Sequence, residues 1–368
     1  MARLKRQEVF VPDEIATVHV MNRVVRRCFL MGSDPFSGKN YNHRKQWIED
    51  ELERVAAFFA IDLLNFAIMS NHFHLILRSR PDVVQTWSER DVARRWLMLC
   101  PKGKKKKKKQ SHDEPSESEL NSICSNKKKL RELRSRLSDI SWWMRLVCQR
   151  IAQRANREDE QSGKFWQSRY RAVRLLDEEA ILAGAAYVDL NPIRAAIADS
   201  LETSAHTSLQ LRIEALRTDL ARAPQYDSQN EQSPAQRADG FLCPLEIDER
   251  QDELGPRPSA SGQRCSDKGF LAMPTAAYLE LLDWTARRIV PGKSGATPEA
   301  TPAMLERLQI APEVWCQLVG HFGKLFGLVA GKPQHVDSYR SRLRHCRFHL
   351  RRAARELMQS SSVAHDVL

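Results

Sequence analysis

The sequence lacks paired cysteines and long apolar runs. Its eight cysteines are scattered and form no C-x-x-C pair, which argues against both a zinc ribbon and a disulfide framework. No window approaches the length of a membrane span, and the opening residues, MARLKRQEVFVPDE, contain no apolar core of a signal peptide. We therefore expect a soluble, cytoplasmic protein with no membrane partner.

Acidic residues are too few to balance the basic ones, so that 368 residues carry a formal net charge of +12. An excess of this size favours a polyanionic partner, although it says nothing about the fold. Segment 101–129 is poor in apolar residues and contains a lysine block that includes Lys104 and Lys106. It predicts a solvated insertion without a helix, whose lysines either contact a phosphate backbone or belong to an ordinary flexible loop.

Hydrophobic periodicity predicts an alternation of strands and helices over the first 200 residues or so. In chain order these are a strand at 14–25, a helix at 42–60, strands at 61–70 and 72–79, a short helix at 88–100, a long helix at 130–156, a strand at 164–176 and a helix at 177–198. Without the short helix, the first six match the split βαβ pattern. We predict an α+β fold with a ferredoxin-like antiparallel sheet and one added helix.

The chain changes character after about residue 210. Segment 211–269 is expected to be largely a linker, since residues 222–268 are rich in Pro, Gly, Gln, Ser and charge. Residues 270–368 predict a mainly helical C-terminal region that follows an N-terminal domain at 1–210. Its last predicted helix, 338–358, is amphipathic and rich in arginine, including Arg347 and Arg351. This region either binds nucleic acid or packs on the N-terminal domain or a partner protein.

The stretch IMSNHFHLILR carries two histidines inside a predicted strand. Because strand side chains alternate, His72, His74 and Arg78 share one face, while Phe73 and its apolar neighbours share the other. An H-x-H pair on one face suits two ligands of a metal ion but needs further ligands. The alternative is a surface strand with two incidental histidines.

The stretch YVDLNPIR places Tyr187 and Asn191 four residues apart, hence on one face of a helix. Pro192 removes a backbone hydrogen bond and disfavours helical geometry at the preceding residue, so a kink or helix end is expected there. Taken alone, the pattern fits an ordinary helix stop with a packed tyrosine.

Three stretches, TVHVMNRVVRRCFL, SNHFHLIL and GKFWQSRYRAVRLLDEEAILAGAAYVDLNPIRA, occur in this order. Together they resemble the single-tyrosine HUH transposases of insertion sequences, most closely the REP-associated tyrosine transposases, over roughly residues 9–210. The resemblance implies a ferredoxin-like catalytic domain that cleaves and rejoins single-stranded or hairpin DNA, in a bacterial, nucleoid-associated setting.

The resemblance also implies roles for individual residues. Tyr187 would be the nucleophile that forms a 5′-phosphotyrosine intermediate, and His72, His74 and Asn191 would bind Mg²⁺ or Mn²⁺. Oxygen-preferring ions suit this donor set because it contains no thiolate. We further expect DNA contacts from a set of basic residues: Arg169, Arg171, Arg194, Lys104, Lys106, Arg347 and Arg351.

Two other functions compete with the strand transferase. One is a domesticated, sequence-specific DNA-binding protein that acts at repetitive elements without transposition. The other is an RNA-binding ferredoxin-like module, which would stack bases on sheet aromatics, whereas the exposed strand face here begins with histidines. The presence of all four implied site residues favours the enzyme, with DNA as its partner and a homodimer left open.

Overall fold

The structure is a computed structural model that describes residues 11, 13–25, 28–101, 114–222, 237–248, 255–290, 301–343 and 346–360. Within these ranges the strands are β1 (Thr17–Arg23), β2 (Ile61–Ile68), β3 (His72–Ser79), β4 (Arg171–Leu175) and β5 (Val329–Ala330). The helices in the N-terminal half are α1 (His43–Ala56), α2 (Pro81–Thr86), α3 (Glu89–Leu99), α4 (Glu117–Cys124), α5 (Lys127–Leu137), α6 (Ile140–Glu158), α7 (Glu178–Asp189) and α8 (Asn191–Arg194). The later helices are α9 (Ser208–Arg222), α10 (Thr275–Ile289), α11 (Ala303–Arg307), α12 (Pro312–Leu325), α13 (Pro333–Leu343) and α14 (Arg352–Ser360).

The protein combines α-helices with a mixed five-stranded sheet, in the order β2-β3-β1-β4-β5. The first four strands pair antiparallel, and β5, from the C-terminal region, pairs parallel to β4. None of the helices in the described ranges is both long and apolar enough to cross a membrane. The α+β prediction is confirmed at this level.

The two faces of the sheet pack against different helices, as strand alternation requires. Val18, Val20 and Phe73 belong to one apolar cluster, which also contains residues of α1 and α6. Ile76 and Val173 belong to a second cluster on the opposite face, with residues of α7, α10 and α12. The predicted division of the 72–78 strand into two faces is therefore confirmed.

The Lys-rich insertion is more structured than expected at its C-terminal end. The helix predicted at 88–100 is present as α3, with Ser88 as its cap, but α4 lies within the segment predicted to contain no helix. A capping box explains α4, because Ser116 and Glu119 satisfy each other's backbone N–H groups.

The single long helix predicted at 130–156 is wrong. The structure has two helices, α5 and α6, separated at Ser138 and Asp139. The Asp139 carboxylate accepts a hydrogen bond from the backbone N–H of Ser141 at 2.6 Å and so starts a new helix. The apolar residues keep their helical spacing across Ser138 and Asp139, so the spacing gives no sign of the break.

The strand and helix that follow are shorter than predicted. β4 begins at Arg171, and the preceding residues contribute an isolated bridge between Val24 and Trp166. α7 begins with Asp177 as its cap and ends at Asp189, and Pro192 lies in the separate short helix α8. The expected helix end beside Asn191 and Pro192 is thus present.

The linker prediction for 211–269 is wrong over its described parts. Most of α9 falls within it, and Cys243 and Cys265 are buried in the two apolar clusters. A half-buried arginine of β3 contacts this segment. Arg78 donates to the carbonyl oxygen of Gly269 at 2.8 Å. The polar composition of the segment predicted a linker because composition does not reveal contacts made by a side chain from another part of the chain.

The C-terminal region packs on the sheet and contributes to the same apolar cluster as α7. Its last predicted helix, 338–358, is interrupted: α13 ends at Leu343 and α14 begins at Arg352. Phe348 explains the interruption because its side chain is 0% exposed. In one continuous helix Phe348 would lie on the side opposite the apolar residues and would face water. Those apolar residues are Leu343, Cys346, Leu350, Ala354 and Leu357.

A buried carboxylate joins these parts. Asp189, at the end of α7, accepts hydrogen bonds from Asn65 Nδ2 at 2.8 Å, Ser208 Oγ at 2.6 Å and Tyr278 Oη at 2.7 Å. Burial raises the pKa of Asp189, and the three donors and the nearby Arg212 oppose that rise. The carboxylate therefore fixes the end of α7 to β2, α9 and α10.

Tyr278→Phe should lower the free energy of unfolding by about 1–3 kcal/mol, because it leaves the buried carboxylate of Asp189 with one donor fewer. Tyr339→Phe is the matched control. The Tyr339 hydroxyl is buried but has no hydrogen-bond partner among the described residues, so its loss should change stability by less than about 0.5 kcal/mol. Urea denaturation measures both, and equal losses would contradict the role of Asp189.

Candidate active site

Tyr187 lies near the end of α7, on the sheet face opposite α1 and α6. Small residues let this helix approach the sheet closely. A Cβ atom added at Gly184 would lie 3.3 Å from Leu175 Cδ1 and 3.6 Å from Ile76 Cδ1. This close approach brings the Tyr187 ring to centroid distances of 5.4 Å from His74 and 5.7 Å from His19, each edge to face.

Three histidines share this face of the sheet. His72 and His74 lie on β3, as predicted, with ring centroids 4.9 Å apart. His19 lies on the neighbouring strand β1, and its Nε2 is 2.9 Å from His74 Nδ1, so the two imidazoles are hydrogen-bonded. Where β1 pairs with β3, His19 lies opposite Ile76. His74, two residues before Ile76, is therefore the diagonal neighbour of His19.

All three imidazoles are neutral near pH 7. Burial lowers the pKa of His19 to about 3, with a further contribution from the Arg171 guanidinium. Burial and the charge of Arg23 lower the pKa of His72 to about 4. The pKa of His74 also lies well below its usual value, first through burial and then through the neighbouring histidines and arginines.

The hydrogen bonds determine which nitrogen of His72 carries a lone pair. Its Nδ1 lies 2.6 Å from the amide oxygen of Asn71, an acceptor, so Nδ1 is protonated and Nε2 has a free lone pair. A metal-binding histidine is commonly held in this way by its second nitrogen. The Nδ1 atom of His19 is buried without a hydrogen-bond partner in the described part of the chain.

A cavity of about 340 Å³ opens over the histidines and the tyrosine. Basic side chains line it from several elements. They are Arg23 of β1, Arg171 of β4, Arg194 of α8 and Lys324 of α12. No Asp or Glu is among the described residues that line the cavity. A cavity with this lining favours an anionic occupant.

Arg194 has one guanidinium nitrogen in use and one without a partner. Its Nη2 donates to the carbonyl oxygen of Gly320, and the guanidinium lies 5.0 Å from the Tyr187 ring centroid. Its Nη1 is buried and has no hydrogen-bond partner among the described residues. A buried donor without a partner is costly in a folded protein.

The predicted site residues differ in where they lie relative to the cavity. His72, His74, Tyr187, Arg171 and Arg194 line the cavity together. Asn191 is buried but not among the lining residues, and Arg169 and Arg347 are exposed and outside that lining. Arg351 is connected to the cavity wall, since it donates to the carbonyl oxygen of Lys324. Lys104 and Lys106 lie outside the described residues.

The donor atoms suit the predicted metal ion, although the described residues do not place a complete set of ligands together. They contain no group of three His, Cys, Asp or Glu side chains placed to hold a metal. The two neutral imidazoles of His72 and His74 would supply nitrogen ligands. The amide of Asn191 could add an oxygen, and its Nδ2 is buried without a partner. Mg²⁺ or Mn²⁺ therefore stays a prediction.

Sequence reasoning missed His19 and the entire contribution of α12. His19 could have been found, because alternation along TVHVMNR places His19, Met21 and Arg23 on one face of β1. For α12 the signal was weaker. Its segment VGHFGK contains Gly320 and Gly323, which weaken a helix and indicate a close approach of another group.

Comparisons with known proteins add little to this geometry. No protein-family model matches the chain, and no curated protein matches it. A solved structure of a REP-associated tyrosine transposase bound to a REP hairpin is similar at 10% identity. The match covers 60% of this chain and 87% of that one, with a TM-score of 0.29. A likeness this distant carries no argument, so the residues themselves must support the function.

Stability should fall as the pH is lowered from 7 to 5. His19 has a folded pKa of about 3, well below its usual 6.5, so the unfolded chain binds a proton that the folded chain does not. Below about pH 6.5 this single group should lower the free energy of unfolding by about 1.4 kcal/mol per pH unit. Urea midpoints measured in EDTA at several pH values check the slope.

His19→Gln should flatten that pH dependence because it removes one titrating group. His349→Gln is the control, since His349 is exposed and should leave the slope unchanged. Identical slopes in the wild type and in His19→Gln would mean that His19 is not held neutral by the fold.

Proposed function

We propose that the protein is a transposase-like DNA-strand transferase that cleaves and rejoins single-stranded or hairpin DNA through Tyr187. The observation that carries this proposal is the cavity itself. A tyrosine, two histidines of one strand and the Arg194 side chain lie around a space lined by basic but not acidic described residues. A phosphodiester suits such a space in both charge and hydrogen bonding.

The proposed reaction begins with attack of Tyr187 Oη on a backbone phosphorus. The tyrosine loses its proton, an O–P bond forms, and the bond to the 3′ oxygen breaks, which leaves a free 3′-hydroxyl and a 5′-phosphotyrosine. Attack by a second 3′-hydroxyl reverses these bond changes and releases the tyrosine. The phosphotyrosine retains the energy of the broken phosphodiester, so rejoining needs no nucleotide cofactor.

The chain's own cations would hold the reacting phosphate. Arg194, Arg171 and Arg23 line the cavity and supply the positive charge that an anionic phosphate requires. His72, His74 and Asn191 would hold Mg²⁺ or Mn²⁺, which when bound polarises the phosphate and offsets its developing charge.

The ferredoxin-like architecture belongs to the same proposal. It is supported by the order β2-β3-β1-β4 in an antiparallel sheet, with α1 and α6 packed against one another beside one face. On the opposite face α7 carries the tyrosine over the histidines. A homodimer stays a prediction.

The second candidate function is a DNA-binding protein without cleavage, acting at repetitive elements. The basic cavity would serve either function. The proximity of the Tyr187 ring to His74 favours the enzyme, because phosphate binding alone needs neither group.

Tyr187→Phe should abolish the covalent attachment of a hairpin oligonucleotide labelled at its 3′ end, the end that stays on the fragment bound as a 5′-phosphotyrosine, and leave hairpin affinity within a few-fold of the wild type. The reason is that the variant loses the nucleophilic oxygen but keeps the ring and the cations. Denaturing gels with labelled DNA measure the adduct. Tyr170→Phe is the matched control, because Tyr170 is buried and bonds Ser141, away from the cavity lining.

An undiminished adduct in Tyr187→Phe would rule out this nucleophile. Absence of an adduct in the wild-type protein, with hairpin binding intact, would favour the binding protein over the enzyme.

Cleavage should require Mg²⁺ or Mn²⁺ and disappear in EDTA, and His72→Ala should cause the same loss. Titration calorimetry with Mn²⁺ gives an independent readout and should show weaker binding by His72→Ala than by the wild type. His349→Ala should behave as the wild type, since this exposed histidine lies outside the cavity lining. Full cleavage by His72→Ala in chelator would contradict the metal proposal.

A further inference from the structure

The helix α12 belongs to the C-terminal region, which the family resemblance does not cover, yet it lies directly against the proposed nucleophile. The Phe322 ring stacks on the Tyr187 ring at a centroid distance of 5.4 Å and an angle of 27°. The same phenyl ring meets His19 edge to face at 5.8 Å. Phe322 is 0% exposed, so this contact is part of the packed interior.

The next residue explains how close the helix comes. A Cβ atom added at Gly323 would lie 2.9 Å from Tyr187 Oη, closer than such contacts occur in folded proteins. The hydroxyl of Tyr187 therefore lies against the backbone of α12, and any side chain at position 323 would force the tyrosine to shift. At Gly320, three residues earlier, an added Cβ would meet nothing within 4 Å.

The exposed face of α12 presents charge to the cavity. Lys324 and His321 are exposed and line the cavity with Arg171 and Arg194. No salt bridge joins Lys324 to a carboxylate within the described ranges. Arg351 donates to the carbonyl oxygen of Lys324 and brings a further cation to the same end of the helix.

We propose that α12 is the second wall of the DNA-binding channel, and that Lys324 contacts a backbone phosphate of the strand that Tyr187 attacks. The strands β1 and β4 supply the first wall through Arg23 and Arg171, and Tyr187 lies between the two. This inference rests on the proposed function and extends it to a region of the chain that the transposase resemblance leaves unassigned.

An alternative explanation is that Lys324 merely stabilises the end of its helix. Lysine near a helix C-terminus interacts favourably with the helix dipole, and Lys324 is the penultimate residue of α12. The two explanations differ in what DNA binding should show, because a phosphate contact contributes to the salt dependence of affinity and a helix-dipole interaction does not.

The test uses the full-length protein carrying Tyr187→Phe, which separates binding from chemistry. Affinity for a labelled single-stranded oligonucleotide is measured over a range of salt concentrations, with and without the added substitution Lys324→Met. We expect a several-fold weaker affinity at low salt and a slope of log K against log salt that is smaller by about 0.7, the value for one phosphate contact on a single strand.

Arg340→Met is the matched control. Arg340 is an exposed cation of the neighbouring helix α13 and is outside the cavity lining, so the substitution removes the same charge from the same region. We expect it to leave the slope unchanged. Thermal denaturation of each variant establishes that the fold is retained.

An unchanged slope in Lys324→Met, or equal changes in Lys324→Met and Arg340→Met, would overturn the inference. The proposed function is judged separately, by whether the protein with Tyr187 intact forms a covalent adduct. A normal adduct with an unchanged slope would reject the channel wall alone, and a reduced slope without any adduct would reject the strand transferase alone.

Discussion

The buried carboxylate of Asp189 is the point on which the geometry of the site depends. It lies two residues after Tyr187 and receives hydrogen bonds from β2, from the start of α9 and from α10. A buried carboxylate is stable only when such donors surround it, so these elements must assemble together. Its partners thereby fix the end of α7, and with it the position of the tyrosine over the histidines.

Local sequence patterns predicted those features of the site that depend on residues close together in the chain. Alternation along β3 correctly placed His72, His74 and Arg78 on one face, and Asp177 and Pro192 correctly marked the start and the end of the tyrosine helix. The arrangement of α12 could not be predicted in this way. Its position is decided by the packing of Phe322 on Tyr187 and His19, a contact between residues far apart in the chain.

The errors of sequence interpretation have a common physical origin. Segment 211–269 looked like a linker because it is polar, yet Arg78 donates to a backbone carbonyl there and Cys243 is buried against the sheet. The last helix was predicted to be continuous because its apolar residues have helical spacing. Phe348 does not belong to that spacing, yet its side chain is buried. In both places long-range contacts outweighed local composition and periodicity.

The distribution of the site along the chain has a consequence for synthesis. His19 and His74 are translated before Tyr187, and Phe322 and Gly323 are translated long after it. Because chains are made from the N-terminus, the tyrosine can pack against the histidines before α12 has been made and can stack on it. A nascent chain that has not yet made α12 would therefore lack the part of the cavity lining that Gly320, His321, Gly323 and Lys324 supply.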